Sequence, residues 1–253
     1  INACTYVLAA LAVLVVRKQD ASASEIKEKH SLVTDLKEGW HAVSSDKSML
    51  VLIAVLAFVT FCIGFLQTLI GPLLLTLTDE KTYGIVQSVA ASAMLITSLY
   101  LGMAKQTGGF VAMFKWGLLL AGLFFMLIGV SVNLWVIGSA AFLFFAMLPF
   151  VNTRADVLMR KHIDSAKQGR VWSIVGVLTQ IGYVAAYAVS GLLADYVFNP
   201  LLTEGGALSG TLGRLIGTGP ARGIGFLFII AGLAVLLTAV AAGRNQAIKE
   251  LEQ

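Results

Sequence analysis

The sequence predicts an all-α, polytopic membrane helix bundle, and three observations lead there. Hydrophobic residues make up 58% of the 253 residues and charged ones 13%, whereas soluble domains run near 45–50% and 25%. The mean hydropathy is +0.85. The apolar residues gather in long, nearly uncharged runs without the apolar–polar alternation of a membrane barrel. With 4 Pro, 2 Cys and 25 Gly in no fixed period, collagen-like and disulfide-rich chains are excluded.

About 20 residues rising 1.5 Å each cross the hydrocarbon core. Seven segments meet or approach that length: Ile1 to Val16, Met49 to Leu77, Gly84 to Met103, Phe110 to Val132, Leu134 to Thr153, Val171 to Phe198 and Gly223 to Gly243. Of 18 basic and 14 acidic residues, only Lys115 and Asp195 fall inside them. The first segment is too short and reads as the end of a truncated helix; six complete spans after a long inner loop, preceded by such an end, suggest a second half, so that an N-terminal six-helix half is expected to be missing. Met49 to Leu77 would extend roughly 43 Å, so it must tilt, bend or protrude, with Gly64, Gly71 and Pro72 as expected bending points. The expected organisation is therefore a truncated helix (1–16), a cytoplasmic linker (17–48), a six-helix transmembrane bundle (49–243) and a cytoplasmic tail (244–253).

Placing the linker in the cytoplasm puts every Lys and Arg inside except Lys81, Arg214 and Arg222. The net charge of +4 is thus a topology device and no sign of nucleic-acid binding. Within the linker, Gln19 to His30 reads as flexible, whereas Leu32, Val33, Leu36, Trp40 and Val43 recur at helical spacing. That helix either lies on the inner membrane surface or is an ordinary lead-in to the next span. The outer connection from Asn199 to Arg222 is glycine-rich, with a short half-buried helix expected near Ala207 to Ile216. Cys4 and Cys62 both sit in spans and read as buried free thiols.

Several stretches carry a resemblance. After the fifth segment, Asn152-Thr-Arg154-Ala-Asp156 leads through Arg160 and Asp164 to Gly169-Arg170-Val171. This resembles the loop between the tenth and eleventh helices of the major facilitator superfamily. Asp35-Leu-Lys-Glu-Gly39-Trp40 resembles the lead-in to the seventh helix in that superfamily's macrolide-efflux and siderophore-exporter-like branch. Gln180-Ile-Gly-Tyr183 through Ala194-Asp195 to Asn199-Pro200 is similar to the eleventh helix and outer loop there. The turn at Gly102-Met-Ala-Lys105-Gln106-Thr-Gly108-Gly109 keeps the family's glycines but lacks its Asp. The resemblance implies the second half of a twelve-helix carrier, with the substrate site near the midplane between two six-helix halves.

Polar side chains inside spans tend to face the bundle interior or a cavity. Thr60, Gly64, Gln67 and Gly71 form one stripe, and Gly176, Gln180, Tyr183 and Tyr187 another. Gln87, Ser88, Ser92 and Ser98 lie on the third segment, and Ser139, Pro149 and Asn152 on the fifth. By the family's arrangement these four segments line the central cavity. Gln67, Asn152, Gln180, Tyr183 and Tyr187 are the expected substrate contacts, while Gly64, Ser88, Ser92 and Gly176 read as packing positions. An amide- and aromatic-lined wall suits bulky amphipathic or lipophilic solutes. Arg154, Asp156, Arg160 and Arg170 are candidate gating charges that pair when the inner end is closed; solvated positive-inside charges are the alternative. Asp195 reads as an interfacial carboxylate near its helix end, so protons, if they are the coupling ion, are expected to use a carboxylate in the missing half.

His30, His41 and His162 all fall in inner loops without a catalytic or metal-ligand pattern. No enzyme activity, metal or other cofactor is expected. The expectation is a secondary transporter in the plasma membrane exporting small molecules; a seven-helix receptor or a stand-alone six-helix channel or scaffold is the alternative.

Overall fold

A computed structural model describes residues 32–104, 108–163, 168–219 and 221–252. The segment Ile1 to Val16, expected to be a truncated helix, the stretch Gln19 to His30, Lys105, Gln106, Asp164 and Lys167 lie outside the described residues. The chain divides into a unit of residues 1–37 and a second from Glu38 onward. Only Leu32 to Lys37 of the first are described, as the opening turns of a helix, and the packing below is that of the second.

The described elements are α1 (Leu32–Ser44), α2 (Lys47–Leu75), α3 (Glu80–Met103), α4 (Phe110–Val130), α5 (Leu134–His162) and α6 (Gln168–Leu192). A π-helical turn (Leu193–Phe198), α7 (Asn199–Leu202), α8 (Gly213–Ile216), α9 (Arg222–Arg244) and α10 (Gln246–Glu250) follow. There is no strand among the described residues. Among the described residues, six helices are long and apolar enough to cross a membrane: α2, α3, α4, α5, the continuous stretch Gln168–Leu202, and α9. The protein is an all-α, multi-pass membrane bundle.

Short polar residues between the apolar runs start the helices. The Asp46 carboxylate accepts the N–H groups of Ser48 (2.8 Å) and Met49 (3.3 Å), Asp79 that of Thr82 (3.1 Å), and Asn133 that of Trp135 (2.9 Å). Each satisfies donors left over in a first turn. Gly109, at φ 81°, makes the left-handed turn into α4, a conformation that glycine adopts without steric cost.

Two helices outrun their apolar segments. α5 continues past Thr153 to His162, so Arg154, Asp156 and Arg160 stand on its last turns instead of in a loop. α6 passes through the π turn and the Asn199–Pro200 step, because Pro200 falls at the start of α7, where a missing N–H costs little. The glycine-rich connection holds only the four-residue α8 in place of the longer helix expected there. The expected tail is docked: Ala247, Ile248 and Leu251 of the α10 region are buried, and α10 packs on α2.

The principal contacts are α2–α6, α3–α5, α4–α5, α4–α9 and α2–α9. They have an internal order. Exchanging the triple α2, α3, α4 with α5, α6, α9 turns α2–α6 into α5–α3 and α2–α9 into α5–α4, and leaves α4–α9 unchanged. At that self-paired crossing, glycines let two backbones touch. A Cβ on Gly122 would come 2.8 Å from Gly232 O, one on Gly225 2.6 Å from Gly129 O, and one on Gly129 would collide with Gly225 O. Between these contacts Phe125 packs against Phe228 and Phe144 at centroid distances of 5.4 and 5.3 Å. α3 and the α6 stretch are the least covered spans.

Candidate functional site

The α2–α6 seam is built from small residues. A Cβ on Gly182 would lie 2.6 Å from Ala57 O, and one on Gly64 2.5 Å from the Ala186 Cβ. The Thr60 hydroxyl donates within its helix to Ala57 O (2.9 Å) and across the seam to Thr179 O (3.1 Å). Close approach of this kind joins helices in lipid, where apolar side chains give little driving force. Thr60 and Gly64 are therefore packing positions. Gly176 is not: its missing Cβ faces open space.

At the rim of the seam the character changes. The Tyr187 hydroxyl donates to Gln67 Oε1 at 2.5 Å, and the Tyr183 ring stacks on Tyr187 with centroids 6.0 Å apart and planes at 29°. Gln67 and Tyr187 are exposed, Tyr187 by 44%. Three expected substrate contacts, Gln67, Tyr183 and Tyr187, thus meet on one surface. Gln180 is exposed on α6 a little nearer its start, and Asn152 is exposed on α5, whose main neighbours are α3 and α4. The structure does not bring Asn152 to the tyrosine pair.

The third and fifth spans contribute less polarity than their composition suggests. The hydroxyls of Ser88, Ser92 and Ser139 donate to Gly84 O (2.8 Å), Val89 O (2.7 Å) and Trp135 O (2.8 Å) on their own helices, which satisfies them locally. Between α3 and α5 lies a cleft of about 660 Å³, walled by Ile85, Val89, Trp135, Phe142 and Leu143, with Thr82 and Ser139 as the only hydroxyls among the described residues that line it.

The four charge candidates lie at the end of the bundle that carries α1. Arg170 Nη1 pairs with Glu38 Oε2 of α1 at 2.6 Å. The Arg160 guanidinium lies over the Trp172 ring of α6 at 5.6 Å, and Asp156 is one turn before it. Arg154, 5% exposed, lies over Phe110 of α4 at 5.6 Å and Phe150 at 5.1 Å, positions that favour a cation. Each arginine ties α5 or α6 to a neighbouring element. α1 is a docked lead-in from Glu38 onward: a Cβ on Gly39 would stand 2.7 Å from Arg170 O, Val43 is 1% exposed, and Trp40 points outward at 48%.

Sequence reasoning missed Arg222, which it counted only as an outer charge. It is buried and donates to Gly129 O (3.1 Å), Val130 O (3.3 Å) and Ser131 O (3.3 Å), the carbonyls that end α4. A cation there also meets the negative end of the helix dipole. A signal was present: Gly122 and Gly129 share the seven-residue spacing of Gly225 and Gly232, with Arg222 beside the latter pair. No protein-family model matches the chain, and no curated protein matches it.

Proposed function

We propose that the chain is one six-helix half of a secondary active transporter of the major facilitator type, exporting amphipathic or lipophilic small molecules across the plasma membrane. The observation that carries this reading is the exposed Tyr187–Gln67 hydrogen bond with Tyr183 stacked beside it on a membrane span. Polar groups on a span are costly against lipid and belong to a surface that meets protein, water or solute. The exchangeable helix triples support the reading, because inverted three-helix repeats build such halves. The basic residues at the α1 end support a cytoplasmic position for it.

In this mechanism the half rocks against a second six-helix half, and no bond in the substrate changes. The Arg170–Glu38 pair and the Arg160–Trp172 contact hold the cytoplasmic ends of α5, α6 and α1 together in one state and separate in the other. The test is transport by the full-length protein in liposomes. Export of lipophilic solutes, slowed by charge reversal at Arg154 or Arg170 and reduced by Gln67→Leu, is the expected result. Transport of small hydrophilic solutes alone, or ion conduction by the isolated chain, would overturn it.

A further inference from the structure

Lys115 stands in a row of glycines. Along α4 the positions that meet α9 are Gly129, Gly122 and then, at the same spacing, Lys115. The first two bring backbones together, and the third puts a lysine into the seam. Its stem fills the notch at Gly243, where a Cβ would stand 2.9 Å from Lys115 Cγ and collide with Cδ. The ammonium leaves the seam over the Trp116 ring, 5.6 Å from the centroid. Gly243 is followed by Arg244, the exposed last residue of α9. The crossing thus brings two cations and an exposed tryptophan to one end of the helix pair. It is the end that carries α1, because Arg154 there lies over Phe110, the first residue of α4.

Neither cation is neutralised within the protein. α4 and α9 contain no Asp or Glu, and neither side chain forms an ion pair or hydrogen bond with another described residue. Glu250 of α10, the next acidic residue after Arg244, is itself exposed. Beyond the charges the surface is apolar. On α4, Trp116 heads an exposed stripe of Leu120, Leu123 and Leu127, and on α9 Arg244 ends one of Ile230, Leu233 and Leu237. Both helices turn Phe125 and Phe228 toward the common core, so the two stripes lie side by side on the opposite face. From Trp116 to Leu127 is about 16 Å at 1.5 Å per residue, half of a hydrocarbon core of about 30 Å. Such a surface matches an amphiphile with an anionic head. Basic groups at the end of a bundle attract anionic headgroups, and tryptophan settles at the headgroup boundary.

We infer that the α1 end of the α4–α9 face is a binding site for an anionic phospholipid. Lys115 and Arg244 hold the phosphodiester, Trp116 lies against the glycerol region, and the two apolar stripes take the acyl chains. The Gly243 notch fixes the Lys115 stem, so the ammonium is presented at one place. The site rests on the membrane bundle alone and stands whether or not the chain transports a solute.

The test is native mass spectrometry of the full-length protein, released from detergent micelles holding equal amounts of phosphatidylglycerol and phosphatidylcholine with the same chains. The wild type is expected to retain phosphatidylglycerol in preference, and excess inorganic phosphate to leave it bound. Lys115→Gln and Arg244→Gln should each weaken the preference by about fivefold and together abolish it, whereas Lys115→Arg and Arg244→Lys keep it. Unfolding profiles like the wild type's would show the variants folded. Lys47→Gln, which removes an exposed cation from the same end, should leave the preference unchanged. No preference in the wild type, or an unaltered one in the double variant, would overturn the site. An equal loss from Lys47→Gln would overturn it in favour of general attraction to the basic end, and displacement by phosphate in favour of a simple ion site.

Discussion

Alanine at the α4–α9 glycines forces two backbones apart, and the structure ranks the cost. An ordinary carbon contact begins at 3.4 Å. The Cβ of Gly122→Ala would stand 2.8 Å from Gly232 O and Leu236 N, and that of Gly225→Ala 2.6 Å from Gly129 O. The helices must open by roughly 0.6 and 0.8 Å, and a gap of that size forfeits about a quarter to a half of each dispersion contact across it. Gly129→Ala collides with Gly225 O outright and needs the largest opening. The Phe125–Phe228 contact between the glycine pairs loosens with them. Overpacking of this kind costs about 1–3 kcal/mol, with Gly129→Ala at the upper end and Gly122→Ala at the lower. Gly84→Ala and Gly191→Ala meet open space and should be neutral or more stable by about 0.4–1 kcal/mol, through reduced freedom of the unfolded chain. Reversible unfolding in mixed detergent micelles, followed by circular dichroism, measures the series. If Gly129→Ala unfolds with the wild type, or Gly84→Ala loses as much as Gly129→Ala, the close-approach argument fails.

Three further outcomes follow from single contacts. Arg222→Met should destabilise the bundle by about 2–4 kcal/mol in the same unfolding assay by stripping three carbonyls of a charged donor. Arg222→Lys should recover only part, because an ammonium lacks the guanidinium fork. Tyr187→Phe should weaken solute binding about 2- to 10-fold, the worth of one hydrogen bond of about 0.5–1.5 kcal/mol, with little change in stability since the pair is exposed. Hydrogen bonding from Thr82, side chain first and backbone second, holds the Asp79 carboxyl below its usual value. Its support for the start of α3 is therefore complete above the unfolded value of about 3.9 and lost as pH falls through the lower folded value. Asp79→Asn should flatten that acid limb of the unfolding profile.

Much of the fold was legible because lipid is a demanding solvent. Helices such as Phe110–Val130 and Arg222–Arg244 coincide closely with apolar runs, since backbone polar groups in hydrocarbon must be satisfied within the segment. Ends were less legible where hydropathy stops being the arbiter. α5 runs on to His162 because Arg154, Leu158 and Met159 are buried by neighbouring helices. Part of the site was visible too: the i, i+4 spacing of Tyr183 and Tyr187 put them on one face, and they stack. Asn152 matched the same criterion and lies on another helix pair, since periodicity orients a residue about its own axis and says nothing of which helix stands opposite.

The sequence by itself determined the spans, their number among the described residues and the faces on which polar residues collect. These follow from transfer free energies and from helical geometry, both local properties of the chain. The tertiary structure alone decided which faces meet. It made Gly64 a contact and Gly176 an open position, turned Arg222 from a surface charge into a buried cap, and carried the helix past Pro200 so that Asp195 lies well inside it. Each of these depends on atoms far away in the chain, and a one-dimensional pattern holds no distance between them.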